Sequence, residues 1–397
     1  MACSRVPPHP FTGPEPSVAA PSEWGPEQRE LLRDALLSWF VRSARPLPWR
    51  VERTPYRSWI SEIMLQQTRV EAVCPYFNRF VERFGSVREL AEASEPEVLK
   101  YWAGLGYYSR ARNIHRAARA IMAEHGGQVP CQLRDLQQLP GIGPYTAGAI
   151  ASIAYGVEIA AVDGNVMRVL SRLLRIKGDP RSGEANARLR RAAADLVRGP
   201  DPGSLNEALM ELGATVCGPE VPRCESCPVS DWCTAHFAGD QSRYPERAPG
   251  PAIESRSHAA VVVEVDGRVL LHDRRGTTVW KGLWAFPTDF PDSPHSGDPE
   301  DAARAICDRI GSAGDLQPVG SIRHGVMNWK IDLHVYYVEG TDGMMTTLTS
   351  DGGWQWAPVE SLIDLALPSP HRRISGMILK RSRPEPESPL VVALRAG

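Results

Sequence analysis

The chain has 397 residues, of which 42% are apolar and 23% are charged, and its formal net charge is -2 at pH 7. This composition indicates a globular protein with room for two domains or more, and the near-neutral charge argues against a general nucleic-acid coat. The sequence contains no apolar run of membrane-spanning length and no secretory signal, so we expect a cytoplasmic protein.

Residues 1–26 are rich in proline and poor in large apolar side chains. This composition is typical of a disordered leader. A targeting peptide is the alternative, although the arginine-rich amphipathic pattern is missing. From residue 27 to 41 the apolar residues recur at helical spacing, and the helix should end before a proline-rich loop at 45–50.

A second helix is predicted over 56–70, with Trp59 and Ile63 on one face. Glu62 lies among apolar neighbours in this run. A carboxyl held away from water keeps its proton more readily, which suits a general acid. A solvated glutamate on the helix surface is the alternative.

Residues 104–113 combine two glycines with Tyr107, Tyr108 and spaced arginines. Such a segment can hold a backbone phosphate and stack an aromatic ring on a base. Packing of the two rings in a core is the alternative.

The run from residue 139 to 165 begins with a Pro-Gly-Ile-Gly turn in which Gly141 and Gly143 permit a tight backbone path. The small residues that follow indicate a closely packed helix, and the amide groups at its N-terminus would attract a phosphate. An ordinary loop-to-helix start is the alternative. One helix later, Asp163 lies in a glycine turn beside Asn165.

The eight cysteines fall into two groups. Four are scattered and are expected to be free thiols in a reducing compartment. The other four lie within one short segment, separated by six, two and five residues, and can enclose one soft metal centre, either zinc or an iron-sulfur cluster. These four are Cys217, Cys224, Cys227 and Cys233.

Residues 241–257 contain several prolines and are predicted to be a linker. Beyond it the pattern changes to strands at 258–265 and 268–271, joined by an Asp-Gly turn, with a helix at 299–310. The region 258–397 is therefore expected to be a separate α+β domain.

In combination, the hairpin, the acidic turn, the Ser-Glu-Ile-Met-Leu-Gln-Gln-Thr run and the cysteine spacing resemble the helix-hairpin-helix DNA glycosylases that carry an iron-sulfur cluster. The resemblance is strongest to the adenine glycosylases of the MutY family. It implies a mostly helical glycosylase domain over 27–240, with a 4Fe-4S cluster loop at 217–233, and a Nudix-like lesion-reading domain over 258–397.

The resemblance also implies the chemistry. Glu62 would protonate adenine, and Asp163 would stabilise the oxocarbenium-like sugar, as two carboxyls divide the labour in glycoside hydrolysis. Lyase relatives place a lysine where this chain has Tyr145, which implies a monofunctional glycosylase without Schiff-base chemistry. Asn165 completes the candidate catalytic set.

The implied partner is double-stranded DNA with adenine opposite 8-oxoguanine or guanine, bound by a monomer that extrudes the adenine. The resemblance gives two residues to the base pocket, two to the wedge in the base stack, one to stacking, two to the hairpin and one to adenine contact. In that order they are Trp49, Arg50, Leu65, Gln67, Tyr107, Gly141, Gly143 and Glu207.

The C-terminal domain departs from the family in two places. The helical run 302–311 lacks the cluster of glutamates that holds metal in a Nudix hydrolase, so the domain is expected to read DNA without hydrolysing a nucleotide. The family's reader loop carries Phe-Ser-His, and the matching positions here are Val326, Met327 and Asn328. Because of this difference, a related mismatch glycosylase with altered opposite-base or target-base specificity is the alternative.

Overall fold

We describe the fold from a computed structural model of the chain, for residues 23–246, 252–274, 279–290, 297–326, 328–348 and 353–381. The chain forms two compact units, each built from two stretches of sequence. Unit 1 contains Met1–Arg45 and Ala151–Ala248, and unit 2 contains Pro46–Ile150 and Pro249–Gly397. In the described ranges, none of the helices has the length and apolar character needed to cross a membrane.

The helices in chain order are α1 (Pro26–Ser43), α2 (Pro48–Val51), α3 (Pro55–Leu65), α4 (Val70–Arg83), α5 (Val87–Glu92), α6 (Glu95–Trp102), α7 (Tyr108–Glu124), α8 (Leu133–Gln138), α9 (Pro144–Tyr155), α10 (Gly164–Leu173), α11 (Gly183–Val197), α12 (Pro202–Thr215), α13 (Thr234–Phe237), α14 (Pro299–Ile310), α15 (Asp342–Leu348) and α16 (Ser369–Arg381). The strands are β1 (Glu254–Val265), β2 (Arg268–Asp273), β3 (Trp284–Ala285), β4 (Gln317–Val326), β5 (Trp329–Glu339) and β6 (Trp354–Pro358).

Unit 1 buries the apolar faces of α1, α10, α11 and α12 in one core. Trp24 belongs to this core, and Glu23 accepts hydrogen bonds from the Arg188 guanidinium. The packed chain therefore begins earlier than the predicted leader boundary at residue 26. The rest of that leader, residues 1–22, lies outside the described residues.

The helices of unit 2 before the sheet correct two expectations. The predicted helix over 56–70 ends at Leu65, because Gln67 adopts a left-handed backbone with φ 58° and a new helix starts at Val70. The 45–50 segment is not wholly a loop, since α2 begins at Pro48. A proline at the first helical position suits a short helix because its φ is already helical and no backbone donor is lost.

The sheet of unit 2 has the strand order β3-β2-β1-β5-β4, with β6 paired to β2. Strands β1 and β2 form the predicted antiparallel hairpin, whose turn residues Asp266 and Gly267 have φ values of 47° and 70°. Strand β1 also runs parallel to β5. Its alternating side chains supply two cores, one that includes α16 and one that includes α14.

The predicted linker is shorter than expected at both ends. Strand β1 already begins at Glu254. At the other end Tyr244 is buried, and the backbone carbonyls of Gln241 and Tyr244 accept hydrogen bonds from Arg172. Residues 247–251 of the linker lie outside the described residues.

Candidate active site

Glu62 lies on α3 and is almost fully buried, with 7% of its surface exposed. The Tyr145 hydroxyl donates a hydrogen bond to Glu62 Oε2 at 2.9 Å. Tyr145 occupies the first turn of α9, so the carboxyl is held by a residue 83 positions away in the sequence. A buried carboxyl oriented by a neutral donor is well suited to proton transfer.

Two contacts position α3 for this role. The Thr54 hydroxyl caps its N-terminus by accepting from the Arg57 amide. At the other end, the Gln66 side-chain amide donates to Thr146 Oγ1 at 3.1 Å. This second bond connects the end of α3 directly to the start of α9.

The hairpin between α8 and α9 contains both predicted glycines, and each is exposed. Gly141 has φ 82°, and a Cβ atom there would lie 2.7 Å from Asn113 Cβ, so both its backbone and its surroundings require glycine. The Gly143 carbonyl accepts from the Ala147 amide as α9 begins. The predicted helix start is therefore present.

Asp163 is the N-cap of α10 in unit 1. Its Oδ1 accepts from the Val166 amide at 2.7 Å, and its Oδ2 accepts from Asn165 Nδ2 at 2.7 Å. Burial raises the pKa of Asp163 above its ordinary value, and these two hydrogen bonds oppose the increase. The group is thus a preoriented carboxylate at the positive end of a helix.

A continuous set of contacts joins Asp163 to the cysteine segment. Asn165 Oδ1 accepts from Arg168 Nη2 at 2.9 Å, and Arg168 Nε donates to the Cys217 carbonyl at 2.8 Å. Asn165 also packs against Gly213, where a Cβ atom would lie 2.6 Å from Asn165 Cβ. The local structure around Asp163 therefore depends on the cysteine segment.

The four clustered cysteines line one small cavity in unit 1, together with Arg172 and Gln241. Arg172 Nη1 lies 3.3 Å from Cys217 Sγ, and Gln241 Nε2 lies 3.6 Å from Cys224 Sγ. Burial, with smaller contributions from the other three thiols, raises the pKa of Cys227 to about 12. Four sulfurs around one cavity, two of them facing N–H donors, fit an iron-sulfur cluster. In the described ranges no set of three or more His, Cys, Asp or Glu side chains is arranged to hold a single metal ion.

The candidate DNA-contacting residues of unit 2 differ in exposure. Trp49 is buried, with its ring edge-on to Phe77 at 5.4 Å, and Arg50 is half-buried. Leu65 is half-buried, and Gln67 is exposed. Of these four residues, Gln67 alone is exposed and accessible to a ligand.

The paired tyrosines at the start of α7 have opposite environments. Tyr107 is 55% exposed and has φ 50°. Tyr108 is buried, and its hydroxyl donates to the Leu367 carbonyl at 2.9 Å while accepting from the Gly104 amide. The first ring is available for stacking and the second belongs to the core.

Glu207 lies on α12 and is 95% buried, with 5% of its surface exposed. The preceding Asn206 was not singled out from the sequence. Its side chain donates to Ser152 Oγ and the Ile159 carbonyl, and accepts from the Ala161 amide. Asn206 therefore braces the segment that leads to Asp163, a role that no local pattern signals.

The turn between β4 and β5 contains the substituted reader positions. Val326 is half-buried and lines a cavity of about 1100 Å³ with Tyr107, Trp280 and His324. The Asn328 side chain donates to the Ala252 carbonyl at 3.4 Å. Met327 lies outside the described residues.

Family models match two parts of the chain. Residues 60–194 match the HhH-GPD superfamily of base excision DNA repair proteins, and residues 258–376 match the NUDIX domain. These matches confirm the predicted fold class, a mostly helical helix-hairpin-helix region followed by a Nudix-like α+β domain.

The chain is also similar to curated proteins over most of its length. It is 46% identical to an adenine DNA glycosylase of Rattus norvegicus, covering 86% of this chain and 77% of that protein. It is 33% identical to an adenine DNA glycosylase of Homo sapiens, covering 86% of this chain and 73% of that protein. A solved thermostable thymine-DNA glycosylase is 29% identical over 53% of this chain and 98% of its own, with a TM-score of 0.49.

Proposed function

The chain belongs to the adenine DNA glycosylase family of base excision repair, and we propose that it removes adenine opposite 8-oxoguanine or guanine with Glu62 as the general acid. The observation that carries this proposal is the buried Glu62 carboxyl, held by the Tyr145 hydroxyl at 2.9 Å. Adenine is a poor leaving group, and protonation makes it a better one.

Asp163 supplies the second carboxyl. Breaking the bond to adenine leaves positive charge on the deoxyribose, and a fixed carboxylate stabilises that charge without reorganising during the reaction. Each Asp163 oxygen accepts one hydrogen bond, from Val166 or from Asn165, and this arrangement favours the ionised carboxylate. Asn165 therefore acts by orienting Asp163.

The enzyme is a monofunctional DNA N-glycosylase. Tyr145 stands where lyase relatives carry a lysine, and a phenol cannot form a Schiff base with the sugar aldehyde. The product is an intact strand with an abasic site.

Extrusion of the adenine comes before the chemistry and requires about a few kcal/mol, least for a mispaired base. We assign Leu65 to the wedge, Gln67 to probing the stack and Tyr107 to stacking, since Gln67 and Tyr107 are both exposed. We assign the amides around Gly141 and Gly143 to a backbone phosphate.

We assign three further residues to recognition of the extruded base. Trp49, buried against Phe77, supports the pocket wall beside Arg50. Glu207, which is also buried, contacts the adenine.

The four clustered cysteines hold a 4Fe-4S cluster in this proposal. Cys217, Cys224, Cys227 and Cys233 supply the thiolates, and Arg172 and Gln241 donate hydrogen bonds toward two of the sulfurs. When bound, the cluster braces the loop that also orients Arg168. Purified protein should be brown with about four iron atoms per chain, and a colourless protein with one zinc would overturn this assignment.

We further propose that residues 27–240 form the glycosylase domain and that 258–397 form a reading domain without nucleotide hydrolysis. The protein acts as a monomer on double-stranded DNA.

A panel of duplexes tests the proposed activity. Adenine is placed opposite 8-oxoguanine, guanine, cytosine or thymine, and released adenine and alkali-sensitive breaks are measured. We expect release opposite 8-oxoguanine and guanine, with breaks only after alkali. Trapping of a covalent adduct by borohydride, or release from none of the duplexes, would contradict the proposal.

A second candidate function is adenine release with altered opposite-base specificity. It is favoured by the reader turn, because Val326 lacks the planar face of phenylalanine, a stacking contact worth about 1–3 kcal/mol. Asn328 keeps hydrogen-bonding capacity, but its amide already faces the Ala252 carbonyl. This reading predicts weaker discrimination between 8-oxoguanine and guanine.

The triple variant Val326→Phe, Met327→Ser, Asn328→His separates the two candidates. If the turn is the discriminator, the single-turnover rate ratio between the 8-oxoguanine and guanine duplexes should rise. An unchanged ratio would remove the turn from this role.

A further inference from the structure

Arg110 on α7 is a buried cation, with 7% of its surface exposed. Burial lowers the pKa of Arg110 to about 10, so the guanidinium remains charged at neutral pH. Its guanidinium contacts backbone carbonyls, one hydroxyl and two aromatic rings, and its Nε is buried without a hydrogen-bond partner in the described part of the chain. A charge buried in this way requires a reason, because desolvation is unfavourable.

One side of the guanidinium holds the end of α3. Arg110 Nη1 donates to the carbonyls of Ile63 at 2.9 Å and Met64 at 2.7 Å, and also to the Gln66 carbonyl. Carbonyls at a helix C-terminus lack partners within the helix and carry the negative end of the helix dipole. Arg110 therefore caps the C-terminus of α3, next to the proposed wedge residues Leu65 and Gln67.

The same guanidinium contacts the chain on both sides of Gln67. The Gln66 carbonyl precedes Gln67, and Thr68 Oγ1, which accepts from Arg110 Nη2 at 3.0 Å, follows it. Gln67 itself is exposed, with a left-handed backbone at φ 58°. This conformation is unfavourable for a residue with a side chain and persists only where neighbouring contacts impose it.

The other side of the guanidinium holds Tyr107. Arg110 Nη2 donates to the Gly106 carbonyl at 3.3 Å, and the guanidinium carbon lies 5.1 Å from the centre of the Tyr107 ring. Tyr107 is also exposed and left-handed, with φ 50°. One buried side chain therefore connects two exposed residues that share an unusual backbone conformation.

We propose that Arg110 is a positioning residue that fixes Gln67 and Tyr107 as a pair against the base stack during adenine extrusion. The inference rests on the proposed function, which gives Gln67 and Tyr107 their roles on DNA. Arg110 does not contact the reacting atoms. It acts by keeping two strained surface residues in the geometry that separates the adenine from its neighbours.

The test compares two substrates that differ in how much extrusion they require. One is a duplex with adenine opposite 8-oxoguanine, and the other carries the same adenine opposite a one-nucleotide gap, where the base is unpaired. Single-turnover release is measured for wild type, Arg110→Lys and Arg110→Met. Arg119→Lys is the control, since Arg119 lies on the same helix, is exposed and donates to one carbonyl, that of Ala91.

On the paired duplex we expect Arg110→Lys to slow release about tenfold or more, because a single ammonium cannot replace the guanidinium fork, and Arg110→Met to slow it further. On the gapped substrate the loss should stay below about threefold, because an unpaired base needs little extrusion. The Arg119→Lys control should leave both rates unchanged.

General damage to the fold would reduce both rates by the same factor, and that result would overturn the proposal. So would wild-type rates for Arg110→Lys on the paired duplex. Failure of the proposed function is distinguishable, since wild type would then release adenine from neither substrate.

A mutant cycle gives a second, independent readout. In a Gln67→Ala, Tyr107→Ala background, Arg110→Lys should slow release from the paired duplex by less than about twofold, because its targets are gone. A full additive loss in that background would show that Arg110 acts through other residues, and would overturn the proposal.

Discussion

The region around Glu62 and the region around Asp163 hold two carboxyls in different ways. Glu62 lies in the middle of a helix and receives a hydrogen bond from a phenol that is distant in sequence. Asp163 caps a helix and receives its hydrogen bonds from residues two and three positions further along the chain. The first arrangement suits a group that gives up a proton, and the second suits one that remains charged.

The difference indicates that local surroundings suit two carboxyls to the two different roles that we propose. A helix N-terminus and an amide donor favour the carboxylate, which opposes the effect of burial on Asp163. On a buried helix face, the neutral Tyr145 hydroxyl orients the Glu62 carboxyl. The following variants test that contrast, beginning with the largest expected effect.

Glu62→Gln removes the proton donor and keeps the shape of the side chain. We expect single-turnover release of adenine to fall by roughly 10²–10⁴-fold, the range for general acid catalysis, while DNA affinity stays within about threefold of wild type. Gel-shift titration checks the affinity. Near wild-type turnover would remove Glu62 from the acid role.

Asp163→Asn keeps the capping acceptor and removes the charge. Release should fall by about 10²–10³-fold, as when a preorganised charge is lost from a transition state. The unfolding temperature, read by circular dichroism, should rise, because a raised pKa means that the folded protein is more stable with Asp163 protonated than with it ionised. A lower unfolding temperature would contradict this account of Asp163.

Asn165→Ala tests the orientation of Asp163. Losing a hydrogen bond to a charged group, about 1.5–3 kcal/mol, should slow release by roughly tenfold or more. The acid side of the pH profile should also move to higher pH, because this bond lowers the pKa of Asp163. Asn186→Ala is a matched control, since Asn186 also donates a side-chain hydrogen bond in unit 1, to the Pro180 carbonyl, away from Asp163.

Tyr145→Phe tests the orientation of Glu62 and should have the smallest effect. The ring remains and only the donor to Glu62 Oε2 is lost, so release should slow by about five- to tenfold. Release should slow by the same factor opposite 8-oxoguanine and opposite guanine, because both duplexes use the same acid. A change in the ratio of the two rates would show that Tyr145 also affects opposite-base recognition.

Local sequence patterns predicted the helices and the first strands well, since apolar periodicity determines which face is buried. The pattern over 56–70 failed at Gln67, because nothing in the apolar spacing signals the left-handed backbone that ends α3. The predicted linker was too long at both ends. Its prolines and polar residues are typical of a linker, and they gave no indication that β1 begins at Glu254 or that Tyr244 is buried.

The candidate site was accessible from the sequence only in part. The cysteine spacing indicated the cluster loop, and the resemblance pointed to Glu62 and Asp163, whose roles stay predictions. Arg110 and Asn206 were missed, because their contacts join segments that are about 40–55 residues apart and leave no periodic trace. An arginine on an otherwise apolar helix face was the one available signal for Arg110.

The pH dependence of single-turnover release from a duplex with adenine opposite 8-oxoguanine tests the central claim most directly. With Asp163 ionised and Glu62 protonated in the active form, the profile should be bell-shaped. Its acid side should lie above the ordinary aspartate range, because burial raises the pKa of Asp163, and should disappear in Asp163→Asn. A flat profile, or an acid side that persists in Asp163→Asn, would contradict the division of labour between the two carboxyls.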